Sequence, residues 1–260
     1  MIPDTHAHLD LVEQETGKVV SAAEAAGVSP IITIGINLAS SIEAVRHSGS
    51  FDPVYAAVGI HPNDTADMTA GDIDRLEEIA ASGSKIVAIG ETGLDYYRDR
   101  SPAGLQKKAF RAQVRLARKL GMALIVHDRQ AHDDTLEILK EEKADETHVV
   151  MHCFSGDPDM LQEVLSRGYF VSFAGPITFK KSQAARKVAA LVPPDKLLAE
   201  TDAPFMSPEP FRGKPNLPER VRLVANELAR IRGVTADEMA ELLAANTGTA
   251  FGIEIRKKRR

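Results

Sequence analysis

The chain has 260 residues, 43% hydrophobic and 27% charged, an ordinary soluble globular composition long enough to bury a full core. Its single cysteine, Cys153, excludes an internal disulfide framework and makes a reducing cytosol the expectation. No basic-then-apolar leader and no apolar run near the roughly 18 residues that span a bilayer is present, so a cytoplasmic protein without membrane contact is expected.

The formal charge is −5, but five of the basic residues form the ending Arg256-Lys257-Lys258-Arg259-Arg260. Without them 27 basic residues face 37 acidic ones, or −10. An acidic body argues against a surface that coats nucleic acid broadly and leaves room for a local basic rim. The tail itself reads as a frayed, solvated terminus or, alternatively, as a non-specific anchor for phosphate backbones.

In chain order, apolar β-rich runs are expected at 2–8, 30–36, 54–61, 85–91, 123–127, 147–154, 169–174 and 196–202. Between them lie amphipathic segments near a 3.6-residue spacing, such as 19–26, 72–81, 105–120, 133–142 and 184–191. After the eighth run, 218–231 and 236–245 read as helices, the second opening on Thr235 with Glu238 three residues on. This alternation is the pattern of parallel βα units, and a single (β/α)8 TIM barrel of the α/β class typically needs about 250 residues. An open doubly wound sheet would carry Gly-x-Gly-x-x-Gly in its first turn, which is absent. The proline-rich stretch 203–218 reads as stiff loop, so one domain is expected over 1–255, with 256–260 as a tail.

The start, Asp4-Thr5-His6-Ala7-His8-Leu9-Asp10, puts two histidines one residue apart on a strand, so both imidazoles face one side and can reach one cation. Alone, they read equally well as exposed histidines near a frayed terminus. Barrel active sites, however, lie at the C-terminal ends of the strands. There the third strand delivers Gly59-Ile60-His61-Pro62, the fourth Gly90-Glu91-Thr92-Gly93-Leu94-Asp95 and the fifth Ile125-Val126-His127-Asp128-Arg129. The sixth delivers Met151-His152-Cys153-Phe154-Ser155-Gly156 and the eighth Glu200-Thr201-Asp202-Ala203-Pro204. Singly, Glu91 reads as a salt-bridged carboxylate, Asp202 as an N-cap, and His127 and His152 as hydrogen-bonded core histidines. Their convergence on one axis is what those readings leave unexplained. His6, His8, His127, His152, Glu91 and Asp202 suffice for two divalent ions if Glu91 bridges. Four imidazoles favour zinc, manganese or iron over magnesium.

These motifs, with the ending Asn246-Thr247-Gly248-Thr249-Ala250-Phe251, resemble those of the TatD family of metal-dependent hydrolases over essentially the whole chain. The resemblance implies an amidohydrolase-type barrel with deoxyribonuclease activity, usually a magnesium-dependent 3′ to 5′ exonuclease on single-stranded DNA and sometimes RNA. It also implies that His6, His8, Glu91 and Asp202 hold one ion and that Glu91, His127 and His152 hold the second. One departure is on strand five, where family members often carry His-Ser/Thr-Arg and this chain has His127-Asp128-Arg129. A carboxylate there repels phosphate unless it pairs with Arg129.

Two clamped cations, Mg²⁺, Mn²⁺ or Zn²⁺, acidify a water that attacks phosphorus, with Asp202 expected as the base unless it is a ligand only, and Glu91 as the second catalytic carboxylate. His61 is expected on the scissile phosphate or in a structural hydrogen bond. Arg98, Arg100, Arg129, Lys180, Lys181, Arg212 and Lys214 fall in the loops after the strands, with Tyr96, Tyr97, Phe179 and Phe211 among them. They form a basic rim with base-stacking rings, or else ordinary solvated loop residues. His61, Arg129, Arg212 and Tyr96 are the expected substrate contacts, single-stranded or frayed DNA ends and RNA the expected partners, and no protein partner is inferable. Two other readings stay open: an amidase, lactonase or esterase on the same centre, which needs no such loop cations, and a metal-stabilised binding module without turnover.

Overall fold

In the computed structural model, which describes residues 1–98 and 100–255, eight strands pair in parallel in the order in which they occur in the chain. They are β1 Ile2–Ala7, β2 Val28–Ile34, β3 Val54–Val58, β4 Ile86–Asp95, β5 Ala123–Arg129, β6 Val149–Met151, β7 Phe170–Phe173 and β8 Leu197–Ala199. The two edges meet beyond the end of β8. A bridge joins Ala7 to Ala203, the His8 N–H donates to the Ala203 carbonyl at 2.7 Å, and the Asp202 N–H donates to the His6 carbonyl at 2.8 Å. The barrel expected from the alternating segments is thus sealed by the backbone of the same motifs that carry His6, His8 and Asp202.

The helices are α1 Thr16–Ala25, α2 Leu38–Ser50, α3 Ala70–Ala80, α4 Ala103–Leu120, α5 His132–Glu141, α6 Pro158–Ser166, α7 Gln183–Leu191, α8 Val221–Arg232 and α9 Ala236–Phe251. Strand residues alternate between two apolar clusters. Ile31 and Leu124 pack with Val20, Phe110 and Leu228 of the helices, whereas Ile32, Ile34, Ile125, Val150, Phe170 and Leu198 pack with Ala250 and Phe251 at the end of α9. Burial of each of the larger side chains among them contributes roughly 1.5–3 kcal/mol. Among the described residues no helix is long and apolar enough to cross a membrane. The basic tail expected at 256–260 lies outside the described residues.

Several bounds differ from the sequence expectation. α2 and α6 lie outside the segments named from the pattern: serines and Gly49 dilute the apolar period of α2, which is held by its Asn37 cap, the side chain accepting from the Ser40 N–H at 2.9 Å. α6 has a legible start, Asp157 as cap and Pro158 in the first turn. α9 runs six residues past 245 because buried Asn246 donates to the carbonyls of Pro194 and Leu197, tying a segment of weak helix formers to the barrel. β6 and β8 stop short of the expected 154 and 202, whereas β4 continues to Asp95, its Thr92–Asp95 half paired with Val126–Arg129.

Candidate metal centre and the cavity above it

β4 carries the centre. Gly93 has φ +142°, and a Cβ there would collide with the His127 carbonyl, so only glycine lets β4 run this close to β5 two residues past Glu91. Glu91 is buried, and its two oxygens face different partners. Oε2 lies 3.4 Å from His6 Nε2 and 3.7 Å from His8 Nε2. Oε1 lies 2.7 Å from His127 Nδ1, 3.3 Å from His152 Nε2 and 3.7 Å from His61 Nε2. Asp202 Oδ1 completes the first side, 3.4 Å from His8 Nε2 and 3.9 Å from His6 Nε2.

This donor set fits divalent cations. Ligand atoms held at 2.0–2.2 Å by one tetrahedral ion stand roughly 3.3–3.6 Å apart, close to the spacings around Oε2. His6 Nε2 and His8 Nε2 also face each other at 3.3 Å, a poor arrangement for two buried imidazoles unless they share a proton or a cation. The ligand atoms of His6, His8 and Glu91, of His6, His152 and Asp202, and of His61, Glu91 and His127 each lie within 4.8 Å of one another.

The far-side nitrogens of three of the four ligand histidines face an acceptor, whereas His6 Nδ1 has no hydrogen-bond partner among the described residues. His8 Nδ1 is 3.3 Å from the Ile34 carbonyl, His127 Nε2 3.4 Å from Asp95 Oδ2, and His152 Nδ1 2.7 Å from Glu200 Oε1. An acceptor there draws the ring proton outward and leaves the lone pair facing the centre. Asp95 and Glu200 therefore position His127 and His152, a role not assigned to either from the sequence. His61 is reversed. Its Nδ1 accepts from the Asn63 N–H at 3.0 Å, which assigns the ring proton to Nε2, 3.7 Å from Glu91 Oε1 and too far for a hydrogen bond. Distance alone groups His61 with the ligands, but its tautomer makes it a hydrogen-bond donor. Burial pushes its imidazole down to about 3, so it is neutral at physiological pH.

Burial works against ionised Glu91 and Asp202, but the imidazoles of His152, His61 and His127 around Glu91, and His8 beside Asp202, hold both below the usual carboxylate range. Burial likewise opposes a charged His127, yet Asp95 and Glu91 carry it up to about 9. In the metal-free protein this contribution to stability is full below His127's ordinary 6.5 and is lost as pH rises through about 9. Cations need the unprotonated ring, so their binding tightens over the same interval. Thermal melts across this range should show the stabilisation by added Mn²⁺ growing with pH. A metal-induced shift that shrinks as pH rises would contradict the assignment.

Asp202 has φ +55°, a left-handed backbone that costs a non-glycine residue on the order of 1 kcal/mol. It is pinned there by its N–H on the His6 carbonyl and by its own carbonyl, which accepts from the Phe205 N–H at 2.7 Å. Buried Asp4 braces the same turn, accepting from the Thr201 N–H at 2.8 Å and the Thr201 hydroxyl at 2.6 Å. Burial, opposed by those hydrogen bonds, pushes its carboxyl up to about 8.

Above the centre a cavity of about 1210 Å³ opens at the C-terminal ends of the strands. Arg98, Arg100, Arg129, Lys187, Arg212 and Lys214 line it, and among the described residues none of them is ion-paired with a carboxylate. Lys180 and Lys181 are not on its wall. The Arg129 guanidinium lies 4.0 Å over the Tyr97 ring and that of Arg212 4.5 Å over Phe179, so the rings hold the cations without neutralising them. One condition is not met, and one expectation is corrected. Asp128 of β5 pairs at 2.6 Å with His132, the first residue of α5, and not with Arg129. Tyr96 does not line the cavity: its ring packs on the core and its hydroxyl donates to Asp134 at 2.6 Å, beside the Lys107–Asp134 ion pair.

Comparison with known proteins settles the family. The family model for the TatD related DNases matches residues 3–252. The chain belongs to the TatD family. The uncharacterized metal-dependent hydrolase YabD of Bacillus subtilis strain 168 is 40% identical over 255 residues, spanning 97% of this chain and 100% of that protein. A Citrobacter rodentium protein named 3′-5′ ssDNA/RNA exonuclease TatD is 34% identical over 244 residues, 92% of each chain. The crystal structure of YJJV, a TatD homolog from Escherichia coli K12, superposes with a TM-score of 0.90 at 31% identity, covering 97% of this chain and 98% of that one. This TatD-family chain is accordingly a metal-dependent hydrolase, with the buried histidines and carboxylates above as its candidate ligands.

Proposed function

We propose that the chain hydrolyses phosphodiester bonds at the 3′ end of single-stranded or frayed DNA, and of RNA, using two divalent cations, Mg²⁺, Mn²⁺ or Zn²⁺. The observation that carries this reading is the set of cations on the cavity wall that, among the described residues, form no ion pair with a carboxylate. A lactone, amide or carboxylic ester presents no row of negative charges to them, whereas a polynucleotide does. The name borne by the Citrobacter relative supports the same substrate class.

His6, His8, Glu91 and Asp202 would hold one cation, and Glu91, His127 and His152 the other. Bound cations would acidify a water and offset the charge developing on the phosphoryl oxygens. Asp202, kept ionised, takes the proton of the attacking water at its carboxylate. The neutral His61 donates from Nε2 to a phosphoryl oxygen, where a donor stabilises developing charge. Arg129 and Arg212 hold the flanking phosphates in planes set by Tyr97 and Phe179.

A mouth that takes a strand end contacts few phosphates. Affinity for a single strand should fall with a slope of only roughly −1.5 to −2 in log affinity against log salt, two to three contacts at about 0.7 each. Linear single strands should be degraded and closed circles spared, measured as loss of labelled substrate across a salt series. Equal cutting of circles, or a slope several times steeper, would mean an endonuclease with an extended track.

A further inference from the structure

The cavity wall is apolar beside the first metal side. Leu11, Phe205 and Met206 line it with 41%, 48% and 39% of their surface exposed, next to His8 and Asp202. Exposure of large apolar side chains on the wall of one cavity suits a surface that a ligand covers. Phe205 is also held firmly. Its N–H donates to the Asp202 carbonyl at 2.7 Å, and its ring meets the His8 ring edge-on with centroids 5.9 Å apart. The turn cannot slide. A Cβ on Gly175, just after β7, would collide with the Met206 carbonyl, and buried Asn216 ties the far side of the loop, its N–H donating to the Pro204 carbonyl at 2.9 Å and its amide to the Thr201 carbonyl at 2.9 Å.

We infer that Phe205, with Leu11 and Met206 on the same cavity wall, forms a stacking subsite for the unpaired nucleobase that adjoins the cleaved phosphodiester. The inference rests on the nuclease reading above and assigns a part of the cavity that reading leaves unused. Three features of this wall select a nucleobase over an apolar peptide or lipid chain. The ring lies one aromatic contact from a candidate ligand, within the reach of a base whose phosphate sits at the centre. The same loop carries Arg212 and Lys214, cations suited to the phosphate of the stacked nucleotide and of no use to a wholly apolar occupant. The exposed face is also a rigid ring, which loses little freedom when a flat π-surface covers it. In a duplex that base is stacked between its neighbours and paired to its partner, and must leave the helix before its face can meet the ring, so the subsite also gives a physical reason for single-stranded or frayed ends.

The test is a cycle between the ring and the base, with the metal-saturated full chain. Oligonucleotides carry a tetrahydrofuran abasic residue at either of the last two positions, and each is compared with the intact strand on wild-type protein, Phe205→Ala and Phe205→Trp. At one of the two positions loss of the base should raise KM roughly tenfold on wild type, within the range for removing one base–aromatic stack. Phe205→Ala should raise KM for the intact strand by a similar factor and make the abasic substitution silent, while Phe205→Trp keeps the discrimination. Quenching of 2-aminopurine at that position on binding should be lost in Phe205→Ala and kept in Phe205→Trp. Unchanged KM in Phe205→Ala, or penalties for ring and base that simply multiply, would overturn the subsite while leaving the nuclease intact. If wild-type protein degrades no oligonucleotide at all, the nuclease reading itself fails and the subsite falls with it. Unaltered melting temperatures of both variants exclude a folding defect, as the half-exposed ring leads one to expect.

Discussion

Glu91→Gln is expected to lower hydrolysis by about 10²- to 10³-fold or more, the loss seen when a preorganised charge partner is removed from an active site. Glutamine keeps the length and shape of the side chain and one carbonyl oxygen. It loses the charge, and it turns one of two acceptor atoms into an N–H donor. Because Oε2 faces His6 and His8 while Oε1 faces His127, His152 and His61, that donor must point at one set of imidazoles or the other. That donor disrupts one half directly, and loss of the charge shared by the two oxygens weakens both, whereas His152→Ala should chiefly affect one. Glutamine opens no cavity, so the barrel should remain folded, but it removes the carboxylate that pairs with His127, so the metal-free variant should melt below metal-free wild type. Steady-state rates and melting curves on the same preparations test this. Near-normal turnover would remove Glu91 from the centre of the mechanism.

Asp202→Asn separates proton transfer from shape. The variant retains a ligating oxygen and the backbone bonds that close the barrel, but it has no carboxylate to accept a proton, so kcat should fall by at least about 10²-fold, as for loss of a general base. The expected signature is low kcat with most of the metal retained. Normal turnover with normal metal content would make Asp202 a ligand only and move the base elsewhere.

The barrel was legible because each βα unit repeats the same signal, an apolar run followed by a 3.6-residue pattern, and because the strand ends carry residues that a barrel gathers on one axis. Glu91 as the central carboxylate could be read from its place on the fourth strand. What pattern could not supply was the direction of side chains. Nothing in Gly59-Ile60-His61-Pro62 says which ring nitrogen of His61 carries the proton; the Asn63 N–H decides it. Asp95 and Glu200 stand in the motifs as plainly as Glu91, but only packing shows them behind His127 and His152. Tyr96 and Tyr97 are equivalent in sequence, yet one is tied to Asp134 and the other supports Arg129. Phe205 looked like one more residue in a proline-rich loop until the turn after Asp202 placed it against His8. α2 was hidden for a simpler reason: a serine-rich helix buries small polar residues, and these leave little hydrophobic period to read.

The central claim is that the two oxygens of Glu91 serve two cations. Elemental analysis of protein purified without chelators and saturated with Mn²⁺ or Zn²⁺ tests it most directly. Two ions per wild-type chain, falling towards one in His152→Ala and lower still in Glu91→Gln, is the predicted result. A stoichiometry fixed at one ion per chain under saturating metal would contradict it.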